Sequence, residues 1–283
     1  MKTFAKIASL IMAVVLAVGC FASCSKANNK VKVIDLALSA EEYAFAVAQD
    51  NTEFLGKVND FLKKITDDGT FDKICNNYFG DGTPLSIESA KLDESKDQLV
   101  VATSTGFEPF EMVDENGKYS GVDLEMAYYL AQELKLELVI QDMDFDAVVN
   151  SVQSGKSDIG MAGLSVTPER QKVVTFSDSY YNASQVVITK EGDTTFDDCK
   201  TGEDVAAILA KLDAKAKIGC QAGTTGELYI KGDEDYGFDG LKAEAAPYKY
   251  VALAITAMQQ GQVDYVIADN GPAKAIAAKI NAQ

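Results

Sequence analysis

From residue 99 onward, short apolar runs alternate with amphipathic stretches, and that alternation restricts the fold to strands joined by crossover helices. LVVAT (99–103) reads as a buried strand, and residues 123–134 set Leu124, Ala127, Tyr128, Ala131 and Leu134 at helical spacing. LELVIQD (136–142) predicts a second strand, and residues 145–154 a helix stopped by Gly155. DIGMAG (158–163) predicts a third strand running straight into LSVTPER. The second half repeats the theme: an extended crossing VVITK (186–190), a helix over 203–212, and the strand KIGCQ (217–221). GTTGELYI then enters a helix, residues 255–260 form another ended by Gly261, and DYVIAD (264–269) is a strand. Before this block, KVIDLAL (32–38) and YAFAVA (43–48) read as extended. A helix follows with Phe54, Leu55, Val58, Phe61, Leu62 and Ile65 on its apolar side. Residues 81–98 are polar, contain the turn-forming DGTP, and read as a linker.

The first 24 residues read as a secretion signal: Lys2 and Lys6 precede an apolar run (7–18) too short to span a bilayer comfortably. Small residues stand directly before Cys20 and Cys24, as they do where a cysteine is acylated after cleavage. Cys24 is preferred because the polar SKANNK follows it; Cys20 is the alternative, and cleavage without a lipid is the plain one. Residues 25–30 then form a tether. The remainder, about 260 residues, suffices for two domains of ordinary size. Forty-three acids against 26 bases give a net charge of −17, which argues against nucleic acid as a partner. With no histidine in the chain, Ser-His and Cys-His catalysis and His-ligated metals are excluded. No metal or cofactor is expected. Cys199 and Cys220 fall at the same end of one predicted sheet, where a disulfide is one option.

The residues with the clearest chemistry follow the third strand. In Ser165-Val166-Thr167-Pro168-Glu169-Arg170, Thr167 suits an N-cap and Pro168 a first helical position. Arg170 then presents a bidentate fork suited to a carboxylate. Taken alone, the motif fits a capped surface helix equally well. The whole phrase DIGMAGLSVTPERQKVVTFSDSYY, however, resembles the extracellular amino-acid-binding proteins of ABC importers, the polar amino-acid solute-binding family 3. That resemblance extends over residues 31–283, but in permuted order. Residues 41–80 resemble the segment that closes such proteins, and 99–127 the segment that opens them, so the chain resembles a circular permutant.

The resemblance implies an α/β fold of periplasmic-binding-protein type 2: two lobes, each a mixed sheet flanked by helices. Lobe 1 would comprise 44–187, with 81–98 joining the ancestral termini, and lobe 2 would comprise 31–43 and 188–283. Crossings near 42–46 and 184–190 would form the hinge. The resemblance further implies that Arg170 clamps a ligand α-carboxylate, assisted by Ser165 and the Gly163 backbone. In QAGTTG, beginning at Gln221, Thr225 would reach the same carboxylate from the other lobe. Asp269 would receive the α-ammonium, and Phe107 and Phe145 would sandwich the side chain, with Phe110 left to the core. Ser104 stands where binders of basic side chains and of glutamine carry an acid, which favours a neutral ligand. The implied function is capture of an extracellular amino acid by a lipid-anchored monomer and its delivery to a membrane permease. A dehydratase-like enzyme on the same fold and a ligand-sensing subunit are the alternatives.

Overall fold

The structure, a computed structural model, describes residues 29–282; the expected secretion signal and both candidate lipidation cysteines, Cys20 and Cys24, lie outside the described residues. The extended segments before residue 50 divide into β1 (Val31–Ile34), β2 (Glu41–Tyr43) and β3 (Ala46–Ala48), and each goes to a different sheet. β1 is the edge of a five-stranded sheet whose order continues with Gln185–Lys190, Tyr265–Asp269, Lys217–Gln221 and Glu244–Tyr248. The first two junctions are antiparallel and the last two parallel, so this sheet is mixed. β3 enters the second five-stranded sheet, of order Glu137–Asp142, Gln98–Thr103, Ile159–Gly160, β3, Val174–Phe176, and is antiparallel to both neighbours. Helices flank both sheets, and the molecule is a two-lobed mixed α/β protein. We call the lobe containing β3 lobe 1 and that containing β1 lobe 2.

The lobes are joined where the chain crosses twice. β2 pairs antiparallel with Tyr181–Ala183, Tyr43 opposite Tyr181 and Glu41 opposite Ala183. Residues 185–190, expected to be part of a crossing, are instead a full strand of lobe 2, because Val186, Val187 and Ile188 are buried between its two helical layers.

Residues 31–80 are no separate module. Helix Thr52–Asp67, capped by Asn51 accepting from the Phe54 amide, buries Val58, Phe61, Leu62 and Ile65 in the same core as Leu99, Phe110, Leu124 and Met126. Each such side chain contributes roughly 1.5–3 kcal/mol on burial, so packing and not the exposed Glu53–Lys57 pair holds this helix. The next helix, Thr70–Phe79, also packs on Val122–Leu134, where Asn77 donates to Glu125 at 3.1 Å. In lobe 2 the side chain of Asn281 bonds both backbone groups of Val31, at 2.9 and 2.8 Å, tying β1 to the final helix Asn270–Asn281.

Two open sequence readings gain detail here. Residues 81–98 are no free linker: Ile87 is buried in the lobe 1 core and exchanges backbone bonds with Tyr119, and the Ala90 amide donates to Leu138. Leu85 packs beside Ile87, and the Ser89 hydroxyl accepts from the Ile140 amide at 2.8 Å, so side chains and backbone together strap the segment down. Nor is the Cys199–Cys220 disulfide formed; both thiols are free. Cys220 points into the lobe 2 core, where burial pushes its thiol up to about 12, and Cys199 packs only at that core's margin.

Candidate functional site

The strand ends that face across the cleft bring the site together. Ser104 and Thr105 follow Gln98–Thr103, residues 163–170 follow Ile159–Gly160, Gln221 ends its strand, and Asp269 ends Tyr265–Asp269 while capping the last helix. Ligand groups gather at such carboxyl ends in open α/β sheets. Ser104, Phe107, Ser165, Gln221, Thr225 and Asp269 are all buried there.

Arg170 is placed by a local device. The Thr167 hydroxyl accepts from the Arg170 amide at 3.2 Å and Pro168 opens the short helix Pro168–Gln171. Thr167→Ala should therefore cost about 1 kcal/mol and lower Tm by roughly 2–4 °C; an unchanged melt would show that the cap does not hold this turn. The guanidinium lies over the Phe145 ring, 5.2 Å from its centroid. It donates to the Ser165 carbonyl at 2.6 Å and, across the cleft, to the Gly223 carbonyl at 3.1 Å.

Three residues that sequence reasoning missed occupy the centre. The Glu41 carboxylate accepts from the Ser165 hydroxyl at 2.7 Å and from the Thr225 hydroxyl at 2.6 Å, both on one oxygen. Its other oxygen accepts from Ser39 at 2.6 Å. Gln185 in turn donates to Thr225 at 3.0 Å. Two positions along, the Tyr43 hydroxyl donates to Asp269 at 2.7 Å. The signal was present in the sequence: residues i and i+2 of a strand share a face, and E-E-Y puts Glu41 and Tyr43 inward with Glu42 exposed.

The electrostatics follow from burial. Desolvation, and then the charge of Glu41, raise the Asp269 carboxyl to about 7 against the pull of the Tyr43 hydrogen bond. Burial lowers the Arg170 pKa, with Glu41 the main opposing charge. Behind the site, Asp123 accepts from the Gly163 amide at 2.9 Å and from Tyr180 at 2.7 Å. Thus the Gly163 N–H, assigned by resemblance to the ligand, is engaged by Asp123. Burial, and after it the Asp123 charge, push the Glu111 carboxyl well up.

Phe107 packs near the rings of Tyr43 and Phe110, at 6.4 and 6.0 Å between centroids, while Phe145 lies under Arg170. Phe110 is fully buried. The lobes touch at Gly106, where a Cβ would meet the Tyr250 ring at 2.9 Å, and at Gly223, where it would meet Asp146 at 3.0 Å. Both glycines have positive φ, so a side chain is disfavoured there twice over. Lys172–Asp235, Lys249–Asp144 and Lys279–Glu108 span the two lobes. The arrangement can bind a molecule carrying an anion and a cation a few bonds apart.

Comparison with known proteins gives the same direction. The model for bacterial extracellular solute-binding proteins, family 3, matches residues 99–235. The arginine-binding extracellular protein ArtP of Bacillus subtilis (strain 168) is 33% identical over 160 residues, 55% of this chain and 56% of that protein. A putative ABC transporter arginine-binding protein 2 of Escherichia coli (strain K12) is 28% identical over 168 residues, 59% of this chain and 61% of that protein. The chain thus spans less than two thirds of the length of these curated relatives. Among solved structures, a Gly52Ala mutant of arginine-bound ArgBP from T. maritima superposes with a TM-score of 0.54 at 33% identity, covering 66% of this chain and 79% of that one. The ancestral amino-acid-binding protein AncCDT-1, a precursor of cyclohexadienyl dehydratase, gives 0.55 at 32% identity, covering 65% and 75%.

Proposed function

The chain belongs to the bacterial extracellular solute-binding proteins, family 3, and from that premise we propose that it captures an amino acid between its lobes and delivers it to the permease of an ABC transporter. The observation that carries this reading is the division of charge in the cleft. Arg170 with the Ser165 and Thr225 hydroxyls offers donors at one pole, and Asp269 offers an acceptor at the other. A zwitterionic head group requires both poles, because a buried charge left unpaired is costly. Ser104, where binders of basic side chains carry an acid, suits a neutral side chain, whereas relatives named for arginine pull towards a cation, so the side chain is what a ligand screen reads.

The test is a thermal-shift screen of residues 25–283 against the twenty amino acids. A ligand at a hundred times its Kd adds roughly 2.7 kcal/mol of stability, so a selective rise in Tm is expected. Folded protein that responds to none of them would sink the amino-acid assignment. A second reading, an enzyme of the dehydratase kind, draws on AncCDT-1 and on an Asp269 carboxyl held near neutrality; turnover of a cyclic acid would favour it.

The same proposal includes the chain order. Residues 31–48 supply strands to both lobes ahead of the family-matched stretch at 99–235, as a circular permutant would. On this reading lobe 1 runs from 44 to 184 and lobe 2 is 31–43 with 185–283, the boundary falling before the strand Gln185–Lys190, and acylation at Cys24 tethers the protein through lobe 2.

A further inference from the structure

We propose that strand β2 is an internal stand-in for the ligand, so that an arriving amino acid must displace Glu41 from the hydroxyls that would hold its own α-carboxylate. The inference rests on the amino-acid reading above and adds a competitor that the protein carries itself. Three observations bear it. The Glu41 oxygen shared by Ser165 and Thr225 lies between the two lobes, since Ser165 belongs to lobe 1 and Thr225 to lobe 2. That carboxylate therefore bridges the cleft as a bound carboxylate would. On the same face of the strand, the Tyr43 hydroxyl gives Asp269 a donor, the part an α-ammonium would play. Glu41 is the charge that most opposes the effect of burial on the Arg170 guanidinium. One guanidinium does not balance two carboxylates on one pair of hydroxyls, and like charges at such range repel strongly in a buried site.

Displacement is mechanically feasible. β2 is three residues long and its ladder partner, Tyr181–Ala183, is no longer. Glu41 sits at the start of β2, so its side chain can turn out with the preceding residues while Tyr43 stays in the aromatic core. The bridge then makes closure of the lobes partly independent of ligand, and lowers apparent affinity by the fraction of molecules held in the self-bridged form.

The test uses Glu41→Ala and Glu41→Gln in the secreted chain, with two readouts. In calorimetric titration with the amino acid found by screening, Glu41→Ala should bind about tenfold tighter, as a ten-to-one excess of the self-bridged form requires. Glu41→Gln, which keeps size and loses charge, should move the same way and guards against misfolding of the alanine variant. In small-angle scattering without added ligand, both variants should have a larger radius of gyration than the wild type and should contract when ligand is added. Unchanged or weaker binding in both variants would overturn the inference while leaving the amino-acid reading intact, since Glu41 would then only orient the hydroxyls. If the wild type binds no amino acid, that reading fails on its own, and scattering still decides: identical curves for wild type and variants overturn the bridge.

Discussion

Arg170→Ala should weaken amino-acid binding on the order of 100-fold or more. Truncating one partner of a buried, hydrogen-bonded charge pair costs 2–5 kcal/mol, and 2.7 kcal/mol is already a factor near 100. The residue is suited to that weight because its placement is over-determined. The Thr167 cap fixes its backbone, the Phe145 ring lies beneath the guanidinium, and carbonyls of Ser165 and Gly223 hold two nitrogens from opposite lobes. Arg170→Lys should recover only part of the loss, since an ammonium keeps the charge without the planar fork that meets both oxygens. Calorimetric titration beside a thermal melt separates the two effects of the change, lost affinity and lost lobe contacts. A loss below tenfold in a folded Arg170→Ala protein would remove Arg170 from the ligand's carboxylate.

How much of this could be read beforehand depends on the range of the interaction. The helix Thr52–Asp67 and the capped turn at Thr167 were legible because helical spacing and capping are local in sequence. The strand at Tyr265–Asp269, ending on the acid of the cleft, was legible for the same reason. The last helix, Asn270–Asn281, was not assigned, although Pro272, Ala273, Ile276 and Ala277 carry its pattern, because alanine-rich faces give little hydropathy contrast. Ile87 pins a segment whose composition is that of a linker, and only a tertiary contact distinguishes the two. Glu41 was the most consequential omission. Its partners lie 124 and 184 residues away, so although strand alternation with Tyr43 marks the face it shares, nothing local in the sequence names the hydroxyls it meets.

Asp269 should give binding and stability opposite responses to pH. Its carboxyl is raised to about 7 by burial and by Glu41, so in the folded protein it holds a proton over a range where the unfolded chain, near 4, has released it. The folded state then binds more protons than the unfolded one between those two values, and stability falls as pH rises through that window. From pH 5 to pH 7 this group alone should withdraw on the order of 2–3 kcal/mol from protein free of ligand. An α-ammonium needs the ionised carboxylate, so affinity should instead rise with pH, about tenfold per unit up to 7, and level off above it. Asp269→Asn should weaken binding at neutral pH, flatten the affinity profile, and remove its share of the stability slope, leaving the part due to the raised Glu111 and Asp123 carboxyls in place. Titrations and melts at pH 5, 6, 7 and 8 on both proteins check all of these together. An affinity that is flat across that range in the wild type would mean that Asp269 does not meet the ligand's ammonium, and the zwitterion arrangement would lose its acidic pole.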